Sequence, residues 1–238
     1  MTPPEISLVI PVFNEAGNLL PLLGNCVDVL RGLARPFEVI VVNDGSTDPT
    51  AEEIATATQR WPECRELRLA ANAGQATALL TGLRAAQGSW IATLDGDGQN
   101  DPRDLPTLFA AVNSGEFDLT CGWRVDRQDS AVRRIMSRLA NGTRRLVLQD
   151  GVHDAGCQLR VFSRAIVAVL EPMELLQSFL PALAVHAGFR VGEFPVRHHP
   201  RQAGTSKYGL ARLWWRPAAA MLALRWRLGR TSRREETP

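Results

Sequence analysis

The chain has 238 residues, of which 45% are hydrophobic and 22% are charged, and its formal net charge is +2. These values exclude an intrinsically disordered chain, and the near-neutral balance gives no indication of nucleic-acid binding. They fit one globular domain with a short appendage. The four cysteines are widely spaced without a CxxC pair, so we expect buried free thiols rather than a metal or redox site.

Strand and helix signals alternate along residues 1–123. Apolar runs predict strands, and helical spacing of apolar residues or flanking glycines predicts helices. The predicted strands are Ile6–Ile10, Phe37–Val42, Arg65–Leu69, Trp90–Leu94 and Phe117–Cys121; predicted helices run through Leu19–Leu30, from Thr50 and over Gln75–Gln87. Thr50–Glu53 has the form of a capping box. This alternation predicts an α/β fold with a mostly parallel sheet flanked by helices.

The second half of the chain is less regular. Its predicted elements are a basic helix Ser130–Leu148, a strand Gln158–Phe162, a helix Leu175–Ala187, a strand Arg190–Val196 and a polar loop His198–Lys207. Neither an internal repeat nor a low-complexity linker is visible. We therefore predict one domain over residues 1–208, followed by a basic, Trp-rich segment over residues 209–238.

The net charge conceals a division between the two halves. Residues 1–123 contain 7 arginines and 16 acidic residues, whereas residues 124–238 contain 20 basic and 9 acidic residues. The first part therefore has a net charge of −9 and the second of +11. This asymmetry predicts that the second part meets an anionic partner, although a generic basic surface would give the same counts.

Polar clusters follow three of the predicted strands. They are Asn14-Glu15, Asn43-Asp44 and Asp95-Gly96-Asp97. In open parallel sheets ligands bind beyond the carboxyl ends of the strands, so we expect these clusters at one edge. The carboxylates of Asp95 and Asp97 can converge on a hard divalent cation, although Asp and Gly are also ordinary turn residues.

Four segments together carry a resemblance to a known family. They are Pro11–Glu15, Val42–Asp48, Asn72–Gly74 before a predicted helix, and Asp95–Gln99. As a set they resemble the family 2 glycosyltransferases of the GT-A fold, in particular the dolichol-phosphate mannosyltransferase and bacterial polyprenyl-phosphate branch. The resemblance covers about Ile6 to Tyr208. It implies a GT-A (Rossmann-like) fold and an inverting enzyme that moves a sugar from a UDP- or GDP-sugar to a polyprenyl phosphate.

The resemblance also implies roles for the acidic clusters. Pro11, Phe13, Glu15 and Asp44 would line the nucleotide site. Asp95 and Asp97 would hold Mg²⁺ or Mn²⁺ on the donor diphosphate, with Gln99 as a third ligand. Helix capping by Glu15 and Asp44 is the alternative.

The resemblance implies that two basic regions bind phosphate groups. By the resemblance Arg201 and Lys207 would contact the donor diphosphate and complete the catalytic set with Asp95 and Asp97, and Lys207 is the one lysine beside 26 arginines. The alternative is a flexible basic surface loop. Arg124, Arg133 and Ser137 match the positions that bind the acceptor phosphate, and Arg134 is a near alternative to Arg133. A solvated charged helix is the alternative for Arg133, Arg134 and Ser137.

The segment Leu210–Leu228 combines tryptophans with arginines. Its apolar centre, Pro217–Leu224, is too short to span a bilayer. It predicts a helix in the membrane interface, with packing on the domain or on a small membrane subunit as alternatives. The N-terminus shows no secretory signal, so we expect a cytoplasmic protein that associates peripherally with the cytoplasmic membrane.

Two rival functions stay open at this point. One keeps the same donor site but places a hydroxyl group of a saccharide or lipid as acceptor. The other is a non-catalytic subunit that binds a nucleotide sugar.

Overall fold

The structure is a computed structural model that describes residues 3–125, 131–200 and 219–228, without the side chains of residues 131–139. Its strands are β1 (Ile6–Val12), β2 (Phe37–Asn43), β3 (Cys64–Arg68), β4 (Trp90–Thr93), β5 (Leu119–Arg124), β6 (Arg160–Ser163) and β7 (Val191–Val196). Its helices are α1 (Leu19–Gly32), α2 (Thr50–Arg60), α3 (Gln75–Ala85), α4 (Leu105–Asn113), α5 (Ala131–Leu148) and α6 (Leu176–His186), and residues 219–228 are also helical.

The strands form one sheet in the order β3-β2-β1-β4-β6-β5-β7. Strand β6 runs antiparallel to both of its neighbours, and the other pairings are parallel. The mostly parallel α/β sheet predicted from the sequence is therefore confirmed. Because β6 reverses direction on both sides, β5 points the same way as β4, and the carboxyl ends of β1, β2, β4 and β5 lie at one edge.

Helices cover both faces of the sheet, and alternate residues of β1 show this. Leu8 and Ile10 pack into the cluster that contains α1, α2 and α4, whereas Val9 packs into the cluster that contains α3 and α6. All three side chains are fully buried. A strand that is buried on both faces needs apolar side chains at consecutive positions, which explains the apolar run Leu8–Val12 in β1.

A smaller third cluster joins the helical segment 219–228 to the domain. Met221 and Leu224 are buried against Leu148 at the end of α5 and against Phe179 and Ala182 of α6. In the part of the chain that the structure describes, no helix is long and apolar enough to cross a bilayer.

Some local predictions differ from the structure. The capping box is wrong, because Pro49 is the N-cap of α2 and the Thr50 hydroxyl instead accepts the backbone N–H of Glu15 at 2.8 Å. The carboxylate of Glu53 likewise accepts hydrogen bonds from the backbone N–H groups of Gly17 and Leu20. Helix α4 was not predicted. The expected free thiols are confirmed, since all four cysteines are buried and unpaired.

Candidate active site

The loops after β1 and β2 are tied together by side-chain contacts at the carboxyl edge of the sheet. Asn14, in the left-handed region with φ +53°, receives the backbone N–H of Thr47 on its Oδ1 at 2.8 Å and donates its own N–H to Ser46. The amide of Ala16 donates to Asp48 at 3.2 Å. These contacts make the two loops one preformed wall.

The predicted nucleotide residues lie along this wall. Pro11 and Phe13 are partly buried at the end of β1 and in the turn that follows it. Glu15 is also partly buried, and its Oε2 accepts a hydrogen bond from the side-chain amide of Asn18 at 3.2 Å. Pro11, Phe13 and Glu15 therefore lie together in space, from the end of β1 to the loop before α1.

Asp44 connects the second loop to the start of α3. It is 3% exposed, and its two carboxylate oxygens accept the backbone N–H groups of Ala73 at 2.7 Å and Gly74 at 2.9 Å. This carboxylate therefore orders the turn before α3, which is close to the capping role that the sequence left open. A carboxylate has about four acceptor sites, so these bonds are compatible with a further contact to a base.

The acidic loop after β4 lies next to that turn. The side-chain amide of Gln75, the residue after Gly74, donates to Asp95 Oδ1 at 2.8 Å. Asp97 is 8% exposed, and its Oδ1 accepts the backbone N–H of Gln99 at 3.2 Å. A Cβ atom on Gly96 would lie 2.5 Å from Val12 Cγ1, so the glycine lets this loop pack against β1.

Electrostatics favour a cation at the acidic loop. Burial, and then the neighbouring charge of Asp97, raises the pKa of Asp95 to about 7. The guanidinium groups of Arg124 and Arg160 oppose this increase. A partly buried carboxylate and a buried one, two residues apart, repel each other, and a shared divalent cation would relieve that repulsion.

The donor set suits Mg²⁺ or Mn²⁺ in its chemistry. Carboxylate and amide oxygens are the hard ligands that these ions prefer, and nucleotide phosphates commonly complete their coordination. Over residues 3–125, 131–200 and 219–228, no group of three or more His, Cys, Asp or Glu side chains is arranged to hold a metal ion by itself. Two carboxylates and one amide oxygen do not complete a coordination shell, so the residues present fit a cation that Asp95, Asp97 and Gln99 would hold together with phosphate oxygens.

Arg124, predicted to bind the acceptor phosphate, lies at the end of β5 and pairs with Asp154. Its Nε and Nη2 atoms donate to the two Asp154 oxygens at 2.7 and 2.8 Å. Both side chains are nearly buried. Glu193 of β7 accepts the amides of His153 and Asp154, which fixes this part of the loop before β6. Asp154 is not among the predicted site residues, and the structure shows it as the partner of Arg124.

The chain after β7 returns to the acidic loop. The backbone N–H of His199 donates to the carbonyl of Gln99 at 2.8 Å, and the His199 ring lies 3.0 Å from Asp101. Arg197 forms an ion pair with Asp104 at 2.7 Å. The segment that follows β7 thus lies, at His199, beside Gln99 of the acidic loop.

Several predicted residues lie beyond this description. Arg201 and Lys207 fall outside the described residues. Arg133 and Ser137 belong to helix α5, but their side chains lie outside the description. Gln75, which contacts Asp95 directly, was missed. Its position directly after the Asn72–Gly74 segment was the available signal, but glutamine at a helix start is too common to be read alone.

Comparison with known proteins was consistent with these observations. The family model described as glycosyl transferase family 2 matches residues 7–170. Two curated relatives are a dodecaprenyl-phosphate galacturonate synthase from Rhizobium johnstonii and an undecaprenyl-phosphate 4-deoxy-4-formamido-L-arabinose transferase from Edwardsiella ictaluri. Each is 37% identical over 87% of this chain. The chain spans 63% and 64% of the length of these two relatives.

The fold is similar to that of glucosyl-3-phosphoglycerate synthase from Mycobacterium tuberculosis. Its crystal structure with Mn²⁺, uridine diphosphate and phosphoglyceric acid aligns over 95% of this chain and 79% of that protein, with a TM-score of 0.71 and 19% identity. Another crystal structure of the same protein contains Mg²⁺ and uridine diphosphate; it covers 93% of this chain and 79% of that one at 20% identity, with a TM-score of 0.68. At this level of identity the likeness establishes the GT-A type of fold.

Proposed function

The chain belongs to glycosyl transferase family 2, and from this premise we propose that it transfers a sugar from a UDP- or GDP-sugar to a polyprenyl phosphate. The observation that carries the proposal is the order of groups along one sheet edge. The preformed loops after β1 and β2 come first, then the carboxylates of Asp95 and Asp97, and then Arg124. The 37% identity to two polyprenyl-phosphate sugar transferases supports the choice of acceptor.

In this proposal the first two loops bind the nucleotide. Pro11 and Phe13 offer apolar surface to the base, and Glu15 and Asp44 offer acceptors for base N–H or ribose hydroxyl groups. The cross-links from Asn14 to Ser46 and Thr47 hold this surface in place before the donor arrives. A preformed site loses less conformational entropy on binding, which favours affinity.

Asp95, Asp97 and Gln99 would hold Mg²⁺ or Mn²⁺ against the donor diphosphate. A bound divalent cation neutralises the charge that develops on the leaving nucleoside diphosphate. Arg201 and Lys207 would add positive charge on the same group. The contact between His199 and Gln99 supports this assignment, because it holds the chain that leads to Arg201 beside the acidic loop.

The acceptor would react through a phosphate oxygen. That oxygen attacks the anomeric carbon, the bond from this carbon to the diphosphate oxygen breaks, and the nucleoside diphosphate leaves with inversion at the carbon. A phosphate monoester has a second pKa of about 6, so its oxygen is already ionised at neutral pH and requires no general base. Arg124, Arg133 and Ser137 would bind this phosphate and orient it for attack.

One observation favours a second candidate, in which the acceptor is a hydroxyl group. Two of the three guanidinium nitrogens of Arg124 already bind Asp154. This residue is therefore less available to a phosphate than its sequence position indicates. A hydroxyl acceptor would need neither Arg124 nor Arg133.

We also propose that the segment 209–238 brings the enzyme to the membrane that contains its acceptor. The helix over residues 219–228 buries Met221 and Leu224, whereas Leu222 is 60% and Trp226 64% exposed. Residues four apart lie on one helix face, so the two exposed apolar side chains point the same way. An exposed Trp–Leu pair beside arginine suits the headgroup boundary of an anionic bilayer.

The direct test is transfer of a radiolabelled sugar. The purified protein is incubated with Mn²⁺, a polyprenyl phosphate and each of the common UDP- and GDP-sugars in turn, and the lipid phase is counted. We expect label to enter the lipid phase with one donor. Label that stays in the aqueous phase with every donor would overturn the proposal, whereas label on an added saccharide would favour the hydroxyl acceptor. Turnover by the protein alone would also dismiss a non-catalytic binding subunit.

A further inference from the structure

Two glutamines from distant parts of the chain form a hydrogen-bonded chain that ends on Asp95. Gln75, the first residue of α3, donates its side-chain amide to Asp95 Oδ1 at 2.8 Å. Gln177, in the first turn of α6, donates its own amide to Gln75 Oε1 at 3.3 Å. An ionised carboxylate can only accept hydrogen bonds, so Asp95 fixes which end of each amide faces it.

The far end of this chain is anchored in the sheet by Arg160. Pro181 lies inside α6 and has no backbone N–H, so the carbonyl of Gln177, four residues earlier, loses its usual partner in the helix. The guanidinium of Arg160 donates to that carbonyl, and its second arm donates to the carbonyl of Ala155 at 2.9 Å. Arg160 is fully buried and pairs in register with Thr93, two residues before Asp95. The backbone of Gln177 is therefore held at a fixed place relative to β4.

We propose that Gln75 and Gln177 are positioning residues that hold the Asp95 carboxylate ready for the divalent cation and the donor diphosphate. This inference rests on the proposed function, because it assumes the metal assignment made there. A neutral amide can orient a carboxylate without cancelling its charge, whereas a lysine or arginine at position 75 would compete with the cation. Residues that hold a metal ligand in this way typically contribute 10–100-fold to metal affinity.

Packing between α3 and α6 alone does not explain this arrangement. Gln177 is only 7% exposed, yet no described residue donates a hydrogen bond to its Oε1. The buried Nε–H of Arg160 likewise has no acceptor among the described residues. Buried polar atoms without partners reduce stability, so an apolar pair would pack these two helices at lower cost. The presence of two amides here, at that cost in stability, points to a positioning role at Asp95.

The experiment measures Mn²⁺ binding, which needs no acceptor and no turnover. Free Mn²⁺ is titrated by electron paramagnetic resonance in the presence of saturating UDP or GDP, for the parent protein and for Gln75→Met, Gln177→Met and the double variant. Gln59→Met, an exposed glutamine on α2, is the matched control. Thermal unfolding without Mn²⁺ or nucleotide shows that each variant is folded.

We expect Gln75→Met to weaken Mn²⁺ binding about tenfold and Gln177→Met by a smaller factor. Because Gln177 acts through Gln75, the double variant should bind like Gln75→Met alone, whereas independent structural effects would multiply. Mn²⁺ affinity unchanged in Gln75→Met would overturn the inference, as would multiplied losses in the double variant. If Gln177→Met does not fold, the Mn²⁺ affinity of Gln75→Met still tests the inference, because Gln75 is partly exposed and its replacement is better tolerated. A parent protein that binds no Mn²⁺ with either nucleotide would overturn the proposed metal site and this inference together.

Discussion

Arg124 and Asp154 form a two-pronged ion pair, with Nε to Oδ2 at 2.7 Å and Nη2 to Oδ1 at 2.8 Å, at the edge of the sheet where the acceptor is expected. The pair joins the end of β5 to the loop before β6. A Cβ atom on Gly156 would lie 2.8 Å from Arg124 Nη2, so the glycine leaves space for the guanidinium. Arg124 therefore has a structural role that is separable from any contact with phosphate.

Stability and acceptor binding should respond differently when this pair is changed. We expect Asp154→Leu to destabilise the protein by about 3–5 kcal/mol, because it leaves a nearly buried guanidinium without its partner. The double change Arg124→Met with Asp154→Leu should recover most of that loss. If Arg124 also binds the acceptor, the KM for polyprenyl phosphate stays high in the double variant although stability returns. Urea unfolding and lipid-phase kinetics on the same samples separate the two roles; a double variant with a parental KM would leave Arg124 with only the structural one.

Asp97 is the position where loss of a single charge should stop the reaction. Asp97→Asn keeps the shape of the side chain but removes the negative charge that the cation would neutralise. We expect turnover to fall by about 10²–10³, the range typical for losing one electrostatic group of an active site. Mn²⁺-dependent thermal stabilisation in the presence of UDP or GDP should disappear as well. Asp28→Asn, an exposed carboxylate on α1, is the control, and parental Mn²⁺ binding by Asp97→Asn would refute the metal assignment.

Close approach at Gly45 offers a test of the nucleotide wall. Gly45 has φ +68°, and an added Cβ would lie 2.7 Å from the backbone of Ala71 and Asn72. Gly17 has a similar φ of +87° but open space around the missing Cβ. Gly17→Ala and Gly45→Ala should each lower the free energy of unfolding by about 1–2 kcal/mol, because alanine is strained in the left-handed conformation. Only Gly45→Ala should also weaken nucleotide binding, because the loop that contains Asp44 has to move. Calorimetric titration with UDP and GDP checks this, and equal affinities for the two variants would contradict it.

The sheet and its functional edge were predictable from the sequence, because the signals for both lie within single short segments of the chain. Strands β1 and β2 contain continuous apolar runs, Leu8–Val12 and Val39–Val42, because both faces of the sheet are covered, and each strand is followed by a polar cluster. Such patterns can be recognised in one segment without knowledge of the rest of the chain. The element boundaries differ from the predicted ones by one or two residues in most cases.

Hydrogen-bond partners between distant segments were not predictable in the same way. Thr50 and Glu53 fit a capping box in sequence, but in the structure their side-chain oxygens accept hydrogen bonds from backbone N–H groups of the loop between β1 and α1. Gln75 and Gln177 are 102 residues apart, so their contact depends on the whole fold. A pattern in one segment shows which groups are available, and only the tertiary structure decides which groups meet.

The nature of the acceptor can be tested on helix α5. Arg133→Ala should raise the KM for polyprenyl phosphate about tenfold or more if its guanidinium binds the phosphate, since hydrogen bonds to charged groups contribute about 1.5–3 kcal/mol. The kcat for donor hydrolysis by water should be unchanged. Arg145→Ala, an exposed arginine on the same helix, controls for the general loss of positive charge. Equal KM values for the two variants would favour the hydroxyl acceptor.

Membrane contact should depend on the exposed face of the helix over residues 219–228. We expect Leu222→Ser and Trp226→Ser each to lower sedimentation with anionic vesicles roughly tenfold, because burying one large apolar side chain contributes about 1.5–3 kcal/mol. Neither side chain is part of the core, so thermal stability should be unchanged, whereas Leu224→Ala should cost about 2–5 kcal/mol. Leu146→Ser, a residue that is 80% exposed on α5, tests whether any exposed leucine has the same effect. Vesicle binding that survives loss of both Leu222 and Trp226 would show that this helix face does not contact the bilayer, and that the buried face, by packing on α5 and α6, is the whole of its role.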